Sequence, residues 1–281
     1  MSTVGVQQGS FLAPDFHLQI TIESGQVFGF SKFKEGYQGS FGGISLKLWQ
    51  KDERLFFESD AHFSPREIEL HLKHYFDLER NLSPLYTLLE QDPKIPSVLN
   101  RIRGLRLIRQ DIWEAMACFI LSSNNNIKRI QQIWHRLAKA LGRDGKHFPN
   151  FEIIADSNEA FLRSLGLGYR APYLLKSARL VCENVDILKK IDRTSYSEAK
   201  EILIKFPGVG SKVADCILLY GFHKMEAFPV DVWIERILRK LYFRNRSAKN
   251  LLSFAQKKWG LLGGYVQQYL FHGARTGILE T

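Results

Sequence analysis

The sequence predicts an α+β fold, with a small N-terminal antiparallel twisted sheet and a larger all-helical part. Three observations carry this. Between about residues 16 and 60 apolar and polar side chains alternate, and glycines cluster between positions 36 and 43, the pattern of strands joined by tight turns. From about residue 66 onward the apolar positions recur with the period of a helix. Ser, Asp and Asn residues stand ahead of several of these apolar runs, where they can cap helices.

In chain order, His17-Leu18-Gln19-Ile20-Thr21-Ile22 and Ile44-Ser45-Leu46-Lys47-Leu48-Trp49 read as strands. Asp111-Ile112-Trp113-Glu114 reads as a capping box that opens a helix running to about Leu121. Ile127, Ile130, Ile133, Trp134, Leu137 and Leu141 form one apolar stripe, with Asn126 placed to cap it. Further helices are expected over 157–165, 171–184, 196–205, 211–221, 232–242 and 248–258. The division expected from this change of period is residues 1–95 for the sheet with its flanking helices and 96–281 for the helical part.

The composition, 45% hydrophobic and 24% charged over 281 residues, excludes a disordered or low-complexity chain. Thirty-nine Lys and Arg against 29 Asp and Glu give a formal charge of +10, which favours a polyanionic partner, nucleic acid before a membrane surface. Three cysteines cannot build a disulfide framework, a C-x-x-C zinc site or a four-cysteine iron–sulfur cluster, so no metal is expected. The first residues lack a basic segment followed by an apolar one, and no apolar run reaches the roughly 18 residues of a membrane span. The expectation is a soluble intracellular protein with no membrane contact.

The most informative stretch is Phe206-Pro207-Gly208-Val209-Gly210-Ser211-Lys212-Val213-Ala214-Asp215-Cys216. One helix ends before Pro207 and another begins at about Ser211. Gly208 and Gly210 allow positive φ and close backbone approach, and amides at a helix N-terminus form an anion site. The same glycines also suit a plain turn between two helices. Lys212 in the first helical turn opposes the helix dipole, and Cys216 falls four residues on, on the same face. Fifteen residues beyond Cys216, Asp231 in Pro229-Val230-Asp231-Val232 is placed to cap the next helix. An amine nucleophile and a carboxylate at the mouths of adjacent helices, beside a phosphate-binding turn, form a catalytic constellation for nucleic acid.

These motifs resemble the helix-hairpin-helix, Gly/Pro-rich, Asp-containing superfamily of DNA base-excision glycosylases, and within it the eukaryotic-type 8-oxoguanine DNA glycosylase/lyases in their compact microbial form. Ser24 to Phe28, Tyr75 to Leu78, Gly104 to Asp111, Ser122 to Arg129, Gly166 to Tyr173 and Trp259 to Phe271 fit in order, over roughly residues 15–275. The resemblance implies a helix-hairpin-helix at about 196–221 with a base pocket between two helical subdomains. It implies that Lys212 attacks C1′ of the damaged nucleoside to give a Schiff base, and that β-elimination then nicks the strand. Asp231 would stabilise oxocarbenium-like charge at the sugar. A neutral amine is needed, and a desolvated pocket with cationic neighbours would favour it.

The same resemblance implies that the Gly25 carbonyl accepts from N7–H of 8-oxoguanine, where normal guanine presents a repelling lone pair, and that no cofactor is needed. Gln267 would read the base's Watson–Crick edge, and Phe271 and Cys216 would lie on its two faces. Asn124, Arg129 and Arg170 would contact the orphaned cytosine, and Tyr169 would wedge beside it. Taken without the family, the asparagine run reads as a helix-end loop and Arg170 as a solvated charge. Gly29 and Phe30 stand where the family carries Arg and Trp, Trp233 where close relatives have His, and Lys128 and Tyr220 also depart from it. The implied partner is double-stranded DNA holding oxidised guanine opposite cytosine, bound by a monomer. Two alternatives stay open: a helix-hairpin-helix glycosylase for another damaged purine, and a non-catalytic DNA-binding module.

Overall fold

The structure is a computed structural model that describes residues 6–59, 63–243 and 250–280. Five strands, β1 (Gln7–Leu12), β2 (Ser31–Phe33), β3 (Gly36–Phe41), β4 (Ile44–Lys51) and β5 (Arg54–Ser59), form one antiparallel sheet in the order β1-β5-β4-β3-β2. Ile44, Leu46 and Leu48 alternate inward along β4, with Leu48 opposite Phe57. This face is covered by α2 (Pro65–Tyr75) through Ile68, Leu72 and Tyr75. Ser64 and Glu67 close a complete capping box at its start.

The segment expected as the first strand is a helix, α1 (Leu18–Glu23). Leu18, Ile20 and Ile22 alternate in the sequence, but Leu18, Thr21 and Ile22 are the buried positions, which is helical spacing. The stabilising partners are distant in sequence. The Gln50 side chain accepts from the Leu18 amide at 2.7 Å, and the Thr21 hydroxyl accepts from the Arg106 amide at 3.2 Å.

The helical part comprises α3 (Ser83–Gln91), α4 (Ile112–Leu121), α5 (Ile127–Leu141), α6 (Phe151–Ala155), α7 (Glu159–Leu162), α8 (Ala171–Glu183), α9 (Ile187–Arg193), α10 (Tyr196–Leu203), α11 (Ser211–Tyr220), α12 (Val232–Leu238), α13 (Leu251–Trp259) and α14 (Gly263–Arg275). Ile130, Ile133, Trp134 and Leu137 of the α5 stripe are buried, Ile127 and Leu141 at its ends are partly so, and Asn126 caps the helix by accepting from the Arg129 amide at 2.9 Å. The box at α4 is half made. Asp111 accepts from the Glu114 amide, while the Glu114 carboxylate takes the Trp134 indole proton at 2.7 Å instead of reaching back. The helices expected over 157–165 and 232–242 each run from α into a single wider turn, over Arg163–Leu167 and Arg239–Phe243. Residues 248 and 249 of the last expected helix lie outside the described residues.

α4, α11 and α14 are buried on nearly all sides and form the centre of the helical core. Phe28, from the segment between α1 and β2, packs into that core rather than under the sheet. The Ser24–Phe28 segment is thereby brought onto α14.

Candidate active site

α10, a turn and α11 make the hairpin. Gly208 has φ +77, and a Cβ there would stand 2.6 Å from the Tyr173 ring, so only glycine fits. Gly210 caps α11 without a side chain, is exposed and has open space about it, which leaves the first amides of α11 accessible. Inside the hairpin Asp215 is buried, accepting from Tyr196 at 2.5 Å and pairing with Lys200 at 2.8 Å. This bond pair ties α10 to α11 and fixes the angle at which α11 presents its N-terminus.

Lys212 and Cys216 on α11, Asp231 at the start of α12, Gln267 and Phe271 on α14, Gly25 and Asn124 all line one cavity of about 830 Å³. One Asp231 oxygen, Oδ1, accepts from the Trp233 and Ile234 amides at 3.0 and 2.9 Å, so the carboxylate is held as a cap, and among the described residues nothing donates to its other oxygen. Cys216, through its charge once ionised and through a hydrogen bond, and then Asp231 outweigh burial and hold the Lys212 pKa above the ordinary lysine range. In place of the expected cationic neighbours stand the Asp231 carboxylate and a thiol that adds negative charge only when ionised, and the amine of the free protein is charged. Burial pushes the Cys216 thiol up to about 11, so it is neutral at physiological pH.

Gly25 has φ +86, and a Cβ on it would meet Ile127 Cδ1 at 2.6 Å and the Phe271 ring at 3.4 Å. The residues around it are tightly bonded. Gln26 donates to the carbonyls of Thr21 and Arg106 and accepts from the Ile108 amide, and its own carbonyl takes the Gln110 side chain. Among the described residues nothing donates to the Gly25 carbonyl.

The three asparagines divide their work. Asn125 donates to the Leu121 carbonyl at 2.9 Å, Asn126 caps α5, and Asn124 projects exposed from left-handed backbone, φ +45. Arg170 is not a solvated charge. It is 2% exposed and donates through Nε and Nη2 to the Ser123 carbonyl and through Nη2 to that of Asn124. Its guanidinium lies 4.3 Å from the Tyr169 ring, which is 45% exposed and donates to Ser123 at 3.1 Å. Arg129 extends exposed from the first turn of α5. Arg129 on α5, Tyr169 and Arg170 in the turn before α8, and Gly208 and Gly210 in the hairpin lie outside the cavity lining; Tyr169 packs edge-on against Tyr173 of α8, the ring that stands over Gly208.

Residues 117–260 match the model of the HhH-GPD superfamily base excision DNA repair proteins, and residues 11–116 match that of the 8-oxoguanine DNA glycosylase N-terminal domain. A probable N-glycosylase/DNA lyase of Methanothermobacter thermautotrophicus is 37% identical over 238 residues, 74% of this chain and 76% of the relative. The chain is a member of the 8-oxoguanine glycosylase/lyase family of the HhH-GPD superfamily. The N-glycosylase/DNA lyase of Saccharomyces cerevisiae is 30% identical over 85% of this chain and 75% of its own length. The structure of Clostridium acetobutylicum 8-oxoguanine glycosylase/lyase with double-stranded DNA containing cytosine opposite 8-oxoguanine superimposes with TM-score 0.87 at 27% identity, covering 99% of this chain and 100% of that one.

The departures from the family pattern have local reasons. A Cβ on Gly29 would stand 2.6 Å from the Trp134 ring, so the indole of α5 fills the space a side chain there would need. Phe30 is buried against Tyr75, with ring centres 6.3 Å apart. Trp233 lines the cavity and lies under the Arg236 guanidinium at 5.9 Å. Phe28, Phe119 and Arg275 are among the lining residues that the sequence does not single out as site residues. Arg275 had a legible signal, since 267, 271 and 275 repeat every four residues on one face of α14.

Proposed function

We propose that this enzyme removes 8-oxoguanine paired with cytosine from duplex DNA and then nicks the strand at the resulting site. The observation that carries the reading is the convergence of Lys212 and Asp231 with Gly25, Gln267 and Phe271 on one cavity large enough for a flipped nucleoside. The Lys212 amine, once neutral, attacks C1′; the C1′–N9 bond breaks with its electrons leaving on the base, which takes up a proton. Ring opening gives the iminium, and loss of a 2′ proton expels the 3′ phosphate. Asp231 is the carboxylate that faces the developing positive charge at the sugar.

The charged resting state of Lys212 assigns a role to substrate binding. A base filling the cavity removes water from the ammonium, and burial favours the neutral form. Gly25 supplies discrimination through an acceptor aimed at N7, because an N7–H donor gains a bond where a lone pair meets repulsion. Asn124, Arg129 and Tyr169 form the face toward the opposite strand. Arg170 enters that face as the support of the asparagine loop, with its Nη1 left for the cytosine.

Single-turnover excision on duplexes with 8-oxoguanine opposite each of the four bases tests the reading. Fastest cleavage of the cytosine pair, with the preference relaxed by Arg129→Ala, supports it. Arg129 is the cleaner variant, because Arg170→Ala also strips buried carbonyls of their donors. Faster removal of an alkylated purine than of 8-oxoguanine supports the alternative substrate class, and binding without cleavage supports the non-catalytic module.

A further inference from the structure

Next to Gln267 on α14 stands Gln268, fully buried and outside the lining of the cavity. Its Nε2 donates to the Ser24 carbonyl at 3.1 Å, and the Tyr220 hydroxyl donates to its Oε1. Gln267 has the parallel arrangement, with Nε2 donating to the Pro229 carbonyl at 3.2 Å and Oε1 3.3 Å from the same Tyr220 hydroxyl. Backbone carbonyls only accept, so both amide orientations are fixed and both Oε1 atoms face one hydroxyl. That hydroxyl has one proton, and the closer contact takes it.

Two consequences follow for the cavity. Gln267 Oε1 is left short of a donor, in the wall a flipped base would face. The turn before Gly25 is pinned from α14 at two successive carbonyls, Ser24 by Gln268 and Glu23 by Arg275, while the Gly25 carbonyl itself has no partner among the described residues. Tyr220 is itself fixed, stacked on Phe119 with ring centres 5.1 Å apart.

Resting on the function proposed above, we propose that Gln268, oriented by Tyr220, is a positioning residue for lesion discrimination: it aims the Gly25 carbonyl and draws the tyrosine proton away from Gln267, so that both acceptors stay open to the base's N–H groups. It touches neither the sugar nor Lys212, so it acts on base reading and not on the chemistry at C1′.

The test compares two rates for each enzyme at a temperature where all are folded: excision of 8-oxoguanine opposite cytosine, and cleavage of a preformed abasic site, which holds no base to read. Gln268→Met keeps the length and removes the amide. It is expected to slow excision about tenfold, the effect of one hydrogen bond, with abasic cleavage unchanged. Gln268→Glu supplies a rescue, because a protonated carboxyl donates to Ser24 and accepts from Tyr220; its ratio of excision to abasic cleavage is expected to recover as pH falls from about 8 to about 5, beyond any change in the parent enzyme. Equal loss of both rates, an unchanged ratio in Gln268→Met, or no recovery in Gln268→Glu would overturn the proposal while leaving the function intact. A parent enzyme that cleaves abasic sites but leaves 8-oxoguanine in place would overturn both.

Discussion

Replacing Gly25 by Ala probes the acceptor proposed to separate lesion from normal base. A left-handed backbone costs an L-residue about 1–2 kcal/mol. The added Cβ also meets Ile127 Cδ1 at 2.6 Å, but that atom ends a flexible side chain and can turn aside for about 0.5–1.5 kcal/mol. The sum, about 1.5–3.5 kcal/mol, is smaller than the roughly 5–15 kcal/mol that holds a domain together, so the variant folds. The strain cannot spread backward, because the Glu23 and Ser24 carbonyls are pinned by Arg275 and Gln268, nor forward, because Gln26 is bonded on both its amide groups and its carbonyl. It concentrates in the Gly25 peptide, and it narrows the space beside Phe271. Single-turnover excision of 8-oxoguanine opposite cytosine is expected to fall at least about tenfold, the worth of one hydrogen bond, while abasic-site cleavage stays within about threefold. Excision at the parental rate in a folded Gly25→Ala protein would refute the role given to this carbonyl.

Asp231→Asn keeps a side-chain oxygen for the Trp233 and Ile234 amides, so thermal stability should change by less than about 1 kcal/mol while excision slows by at least about a hundredfold; equal rates would reduce Asp231 to a cap. Because Cys216 and Asp231 hold the Lys212 pKa above the lysine range, excision should rise with pH from about 6 to about 9, and a flat profile would show that the chemical step does not wait for deprotonation. Burial raises the Glu114 carboxyl from 4.5 to about 8, so the folded state favours the proton. Its contribution is full below pH 4.5 and is lost as pH rises through about 8. Denaturant titrations should find stability falling by up to about 5 kcal/mol across that window, and Glu114→Gln should flatten the fall.

What the sequence made legible was mostly local. Asn126, Asp111 and the apolar stripe of α5 define their helices through partners within four residues, and the Gly208-Val209-Gly210 turn announces itself by residue type. The misread segment, residues 17–22, depends on Gln50 and Arg106, 32 and 85 residues away from the atoms they bond. Arg170 likewise looks like a surface charge until the Ser123 carbonyl arrives from 47 residues earlier. Lys212, Asp231, Gly25, Gln267 and Phe271 are singled out by their matching motif order, and all five line one cavity. The protonation of Lys212 was not legible, because it depends on which charges the fold gathers about the amine.

The most direct test of the central claim is borohydride trapping on a duplex holding 8-oxoguanine opposite cytosine. The account predicts a covalent protein–DNA adduct whose modified residue is Lys212, and its loss in Lys212→Gln with lesion binding retained. Lesion binding with no adduct from the parent enzyme, or an undiminished adduct from Lys212→Gln, would contradict it.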